Sequence, residues 1–209
     1  MRPPRMRVAL FGRSSAGINL AGEMARAGHE IVEISNPAEL SSFEALIIAV
    51  GDARLDAAVE LLEPHVHRGL IAVHTCLSRG VQVLDPLETR GCVVAALAPI
   101  VSGRWAATTL DELGETIVEL IAGEFHADVL ALSDAERAPF AARVYYADML
   151  HRLQVPAARE AEFFAPTEEW PPVGSDFDSQ EAIAAYRGAT DPGLRRSYVE
   201  VARRLGEVD

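Results

Sequence analysis

Residues 8–30, VALFGRSSAGINLAGEMARAGHE, constrain the fold more than any other stretch. A short apolar run (residues 7–11) reads as a strand. It enters a turn containing Gly12 and Gly17, and Ser15–Ala27 then reads as a helix that Gly28 stops. Glu30–Ile34 reads as the second strand. Strand, helix and strand in immediate succession imply a right-handed crossover, and hence a parallel sheet. The alternation repeats. Residues 45–50 (ALIIAV) lack polar alternation and read as a strand buried on both faces. Asp52 is expected to cap a helix reaching about residue 63. Residues 70–76 read as a strand, 79–90 as a helical return and 92–99 as another strand.

After Ser102 the texture changes. Residues 109–124 read as a helix and 128–132 as a short strand. Residues 133–164 read as helix-rich with a break at Pro156, and 165–174 (APTEEWPPVG) as a Pro-rich loop. Residues 179–188 and 193–206 read as helices. The expected class is α/β: a parallel-sheet domain over 1–101, shortened after its second strand, followed by a small, mostly helical domain over 102–209.

Gly12-Arg13-Ser14-Ser15-Ala16-Gly17 has the spacing of the dinucleotide turn G-x-G-x-x-G, with Ser14 at the middle glycine. In such a turn the first glycine permits the bend, and the middle residue lets the backbone approach a pyrophosphate. The last allows close helix–sheet packing. The helix N-terminus then attracts the anion, and Arg13 can add a cation. The alternative is a tight strand-to-helix turn with no ligand. Ser35 and Asn36 stand at the end of the second strand, where the ribose is sorted; Glu33 lies one step inside the strand. Either ribose can bond Ser35 and Asn36, with a slight lean to NADP over NAD. Val50, Gly51 and Asp52 end the third strand and complete the expected cofactor contacts. Ten residues between Ile34 and Ala45 leave no room for the strand and helix that usually wall the adenine.

The segments VALFGRSSAGINLAGEMARAGHEIV, LIIAVGDARLDAAVELL and VHTCLSRGVQVLDPLETRGCVVAALAP resemble the NAD(P)-binding half of the phosphogluconate dehydrogenase-like superfamily. Within it they resemble an uncharacterised Rossmann-like family related to pyrroline-carboxylate reductase, with a helical C-terminal domain of unknown function. His74 fits that family's first histidine and Val83-Leu84-Asp85-Pro86 its helix, while Ala98-Pro99 stands where a His-Pro step is expected. The resemblance implies an active site between two domains, and a homodimer formed through the helical one. It covers about 150 residues. Hydroxyacid dehydrogenases and ketopantoate reductases use a lysine. All nineteen basic residues here are Arg, so lysine acid–base and Schiff-base chemistry is excluded.

His74 ends a central strand at the edge where open sheets bind ligands, so it is a candidate proton donor to a carbonyl or imine; the alternative is a histidine satisfied by backbone. Tyr145 and Tyr146, with Asp148 and His151 on the same predicted helix, are the other candidates. His65-x-His67 has only Glu63 nearby, so no metal is expected. The expected activity is NAD(P)-dependent oxidation or reduction of a small molecule at a C=O or C=N bond. The competing expectation is a degenerate module that binds a ligand or partner without redox chemistry, or a cofactor-free lyase or cyclase.

A net charge of −12 argues against nucleic acid and anionic membranes. Cys76 and Cys92 belong at opposite strand ends, on the order of 15–20 Å apart. Two free thiols in a reducing cytoplasm are therefore expected. The opening MRPPRMRV lacks the apolar core of a signal peptide, and no apolar run is long enough to span a membrane. Val144, Leu150 and Leu153 are expected to need a second subunit to cover them.

Overall fold

The computed structural model describes residues 5–161 and 179–208. Strand β1 (Arg7–Gly12) runs into α1 (Ser15–Ala27). Gly28 ends that helix in the left-handed conformation (φ 103°), its amide donating to the Met24 and Ala25 carbonyls. A side chain would be strained there, which is why a glycine stops the helix. β2 (Glu30–Ile34) follows, and a 3-10 turn (Pro37–Ser42) leads directly into β3 (Ala45–Ala49). The alternation continues through α2 (Asp52–Leu62), β4 (Ile71–His74), α3 (Asp85–Thr89) and β5 (Val93–Val101). A tight turn at Ser102 and Gly103 reverses the chain into β6 (Arg104–Thr109). Then come α4 (Glu112–Glu124), β7 (Asp128–Ala131), α5 (Asp134–Ala161), α6 (Ser179–Ala185) and α7 (Pro192–Val208).

The strands form one sheet in the order β2-β1-β3-β4-β5-β6-β7. β1 to β5 are parallel, β6 is antiparallel to β5, and β7 is parallel to β6. The fold class is α/β with a Rossmann-like sheet. Among the described residues no strand lies beyond β2, in keeping with the short link to β3.

Alternation along β3 explains its unbroken apolar run. Leu46 and Ile48 pack on one face with α2 and α3 residues such as Leu55, Leu62 and Leu87. Ile47 and Ala49 pack on the other with Leu20 and Met24 of α1 and Val118 and Ile121 of α4. Both faces are covered, so neither needs polar residues.

Three expectations are corrected. The sheet does not end near residue 102: β6 and β7 extend it to Ala131, and the helical part begins with α5. β6 was missed because its small, polar sequence RWAATT offers no hydrophobic alternation, although Ser-Gly at the turn was a hairpin signal. α5 runs through Pro156 without a break, since the neighbouring helical geometry outweighs the one amide that proline removes. Gly51, not Asp52, occupies the N-cap of α2, and Asp52 is its first helical residue. Val144, Leu150 and Leu153 are each partly exposed; Val144 packs beside the group that contains Ala141 and Leu77, and Leu153 beside the one that contains Met149 and Tyr198. Phe164 and the Pro-rich stretch 165–174 lie outside the described residues.

Candidate functional site

The glycine turn leaves β1 at the C-terminal edge of the sheet. Gly12 has φ 96°, and a Cβ on it would lie under 3.0 Å from the Ala49 carbonyl. A Cβ on Gly17 would meet the Ala49 side chain just as closely. Both glycines are therefore required by the approach of β3, whatever the turn binds. Ser14 donates its amide to the Ala49 carbonyl at 2.9 Å, and its hydroxyl caps α1 by accepting from the Gly17 amide at 3.2 Å. Ser15 and Ala16, the first two helical positions, have amides with no acceptor inside the helix. These amides and the positive end of the helix dipole are what an anion can use.

A cavity of about 700 Å³ opens beside the turn, bounded by the ends of β1, β2 and β3 and by α2. Gly12, Arg13, Ser35 and Val50 line it. So do Glu33 and the α2 residues Arg54, Ala57, Ala58 and Leu61. Arg13 and Glu33 form an exposed ion pair at 2.6 Å across the rim. Asn36, expected to reach the ribose, instead caps the 3-10 turn by accepting from the Ala38 amide at 3.1 Å. Glu33 was set aside because it precedes the strand end. Yet it pairs with Leu10, two residues before Gly12, and its carboxylate reaches the rim. The α2 residues recur at i, i+3, i+4 and i+7, one face of a helix, so the spacing alone pointed to a shared surface.

Gly51 and Asp52 do not line this cavity. They face a second, buried group of polar side chains at the ends of β3 and β4. Asp52 is 6% exposed; it accepts from the Ser78 hydroxyl, and its amide donates to Glu181 Oε1 of α6 at 2.9 Å. Burial raises the Asp52 pKa, against the opposing pull of its hydrogen bonds and of Arg79 and Arg137. Cys76 donates its thiol to the Val50 carbonyl at 3.2 Å, and burial together with the Asp52 charge pushes that thiol well above its ordinary pKa. It is a packed thiol, not a nucleophile. Arg137 reaches down from α5 with no exposed surface, donating to the Cys76 carbonyl at 2.8 Å and to Thr108 Oγ1 at 3.2 Å. Asp134, one turn earlier, accepts from the amides of Val81 and Gln82. α5 and α6 are thus fastened over this end of the sheet by Asp134, Arg137 and Glu181, none of which sequence reasoning had singled out. Isolated charges on helices of no special motif carry no signal of their destination.

His74 does not have the role expected of it. It is fully buried; Nδ1 accepts from the Cys76 amide at 3.2 Å and Nε2 meets the Gly80 carbonyl at 3.0 Å. Acceptance at Nδ1 places the ring proton on Nε2, which donates to Gly80. Both nitrogens are satisfied by backbone, and burial lowers the pKa to about 3. The ring locks the loop after β4, and its one proton is committed to the Gly80 carbonyl. Between pH 6.5 and about 3 the folded imidazole binds fewer protons than the unfolded one. Its stabilising effect is therefore complete above the unfolded value and is lost as pH falls through that window, at roughly 1.4 kcal/mol per pH unit. Urea melts from pH 7 to 4 are expected to show that slope, and His74→Asn to flatten it. An unchanged slope in the variant would assign the acid sensitivity elsewhere.

Tyr146 stacks on Tyr198 (centroids 6.0 Å apart), and it is partly buried against the Met149, Tyr198 and Leu205 group of the helical part, as Tyr145 is. Tyr145 packs against the group that contains Leu77 and Ala98, at the edge of the sheet. Cys76 and Cys92 are both free and buried. Among the described residues no helix is long and apolar enough to cross a membrane.

Residues 36–99 match the family model of a Rossmann-like domain. No curated protein matches the chain. Among solved structures, 3-hydroxyisobutyrate dehydrogenase of Mycobacterium tuberculosis with L-serine superposes with a TM-score of 0.64 at 9% identity, covering 98% of this chain and 94% of that one. UDP-D-ManNAc dehydrogenase of Pyrococcus horikoshii gives 0.64 at 12% identity, covering 97% and 69%. Pyrroline carboxylate reductase of Plasmodium falciparum, with NADP bound, gives 0.59 at 10% identity, covering 97% of each chain. At these identities the likeness is one of fold. These neighbours are dehydrogenases and a reductase.

Proposed function

We propose that the chain is an NAD(P)-dependent oxidoreductase acting on a C=O or C=N bond of a small molecule. One observation carries this reading: the 700 Å³ cavity stands directly beside the glycine turn and joins the end of β2 to the face of α2. The residues present suit the adenosine half of the cofactor. Arg54, Ala57 and Leu61 give a floor of mixed apolar and cationic character, and Glu33 and Ser35 offer acceptors to a ribose. The Ser15 and Ala16 amides would meet the pyrophosphate. When bound, the nicotinamide would supply or take up hydride. The protein would orient the substrate at the ends of β3 and β4, with Tyr145 the retained candidate for holding a proton there. Glu33 beside a ribose disfavours a 2′-phosphate, whereas Arg13 favours one. As the two are paired, neither NAD nor NADP is privileged.

Isothermal titration with NADH and NADPH tests this. Binding in the micromolar to sub-millimolar range is expected, followed by hydride transfer on a panel of ketones, aldehydes and cyclic imines. No heat at millimolar concentration of either cofactor would remove the reading. A second reading, a module without redox activity, is favoured by two observations. The glycines are explained by Ala49 alone, and the amide at the first turn of α2 is taken by Glu181.

A further inference from the structure

β7 (Asp128–Ala131) is the last strand of the sheet, and all four of its residues are exposed. Its inner side is fixed. The Asp128 and Leu132 amides donate to the Gly103 and Ala107 carbonyls, both at 2.8 Å. Backbone groups of alternate residues in a strand point to opposite sides. Leu130 therefore also faces β6, while Val129 and Ala131 turn their amides and carbonyls outward. The register with β6 places the side chains as well. Val129 pairs with Trp105 and lies on the α4 side; Leu130 pairs with Ala106 and lies on the α5 side. Val129 is 36% exposed and Leu130 44%. An apolar strand thus shows solvent both its side chains and its outer backbone row.

The flanking elements leave that row open. The turn into β7 is drawn inward by Phe125, whose ring centroid lies 5.4 Å from that of Trp105. After β7 the chain turns towards the middle of the sheet, where Asp134 accepts from the amides of Val81 and Gln82. Among the described residues nothing is hydrogen-bonded to the outer side of β7.

Self-complementarity singles out the occupant. Two copies related by a twofold axis at Leu130 bring Val129 of each opposite Ala131 of the other. Each such pair exchanges two hydrogen bonds, so every outward amide and carbonyl of β7 finds a partner. Leu130 meets its own counterpart on the α5 side, and Asp128 stands opposite Leu132, so no like charges meet. A register shifted by two residues brings in the amide of Ala127 or Ser133. Those are already donated, to the Ala122 carbonyl and to Glu136 Oε2.

We propose that β7 is a homodimer seam: two copies of this chain join antiparallel along it, centred on Leu130, into one continuous sheet. In the order β2-β1-β3-β4-β5-β6-β7, the cavity beside β1 and β2 then lies at the far end of each copy and stays open. The seam is therefore independent of the oxidoreductase reading. It also differs from the dimer through the helical part that the sequence resemblance implies.

Sedimentation velocity over a concentration series tests this on the whole chain. The seam is short, so a Kd on the order of 10–100 µM is expected, as suits an interface of less than about 1,200 Å². Ala131→Pro removes one donor per copy from the seam and none from the pairing with β6. The monomer should keep its thermal midpoint, and dimerisation should weaken about tenfold or more. Val129→Lys sets a charge against the second copy's Ala131 and should do the same. Leu130→Pro is the contrast: its amide serves β6, so it should cost stability. Hydrogen exchange reads the seam without any variant. The Val129 and Ala131 amides should gain protection with concentration, and that of Leu130 should not change. Exchange at those two amides that ignores concentration overturns the seam, as does a wild type that stays monomeric into the hundreds of micromolar. A folded Ala131→Pro or Val129→Lys protein that dimerises as the wild type does also overturns it, and returns the interface to the helical part.

Discussion

Gly12→Val is expected to lower the thermal midpoint by on the order of 10 °C, from a loss of about 3 kcal/mol or more. Two costs add. The position has φ 96°, which β-branched residues scarcely adopt, and the new side chain would drive into the Ala49 carbonyl of the neighbouring strand. Neither involves a ligand. The control is Gly69→Ala. That glycine also has positive φ (86°) but nothing within 4 Å of a new Cβ, so only the conformational strain of about 1–2 kcal/mol should appear. Calorimetry on the pair separates strain from collision. A Gly12→Val protein that melts with the wild type yet fails to bind cofactor would return the turn to a purely ligand-binding role.

Arg137→Ala is expected to cost about 3–5 kcal/mol, and Arg137→Met markedly less. The arginine has no exposed surface, and burial holds its pKa down to about 10, so it is paid for in desolvation. What it returns is geometry: it ties α5 to the Cys76 carbonyl of the loop after β4 and to Thr108 of β6. Alanine leaves a large void and two acceptors without donors. Methionine fills the volume and removes the desolvation cost, leaving the unpaired acceptors as the main loss. Chemical denaturation of both variants tests this. Equal losses would mean that the hydrogen bonds, not the packing, hold α5 in place.

The sheet through β5 was legible because its strands are short apolar runs separated by glycine and helical periodicity, and because right-handed crossovers leave one way to connect them. β6 was not, since RWAATT draws its burial from the hairpin with β5 rather than from its own pattern. At the site, Gly12, Arg13, Ser35 and Val50 were legible as strand ends and a turn, which are local features, and all four line the cavity. Asp52 was read as facing a cofactor and faces Glu181 instead. That contact joins residues 129 positions apart, which no local pattern encodes. His74 shows the same limit. Its place at a strand end was legible, but its two backbone partners depend on how the following loop folds back, and they decide that the ring is structural.

Among the described residues β2 is an edge strand, and its outer row of amides and carbonyls is a template on which a second chain could add and aggregate. β2 carries Glu30 and Glu33 there, both exposed, paired to Arg7 and Arg13 on its neighbour. Charged side chains along an edge discourage strand addition, because an incoming strand would have to desolvate them. Glu33 thus serves two ends at once, one at the rim of the cavity and one in keeping the molecule from sticking to its own kind. Variants that neutralise it trade solubility for whatever they change in ligand choice.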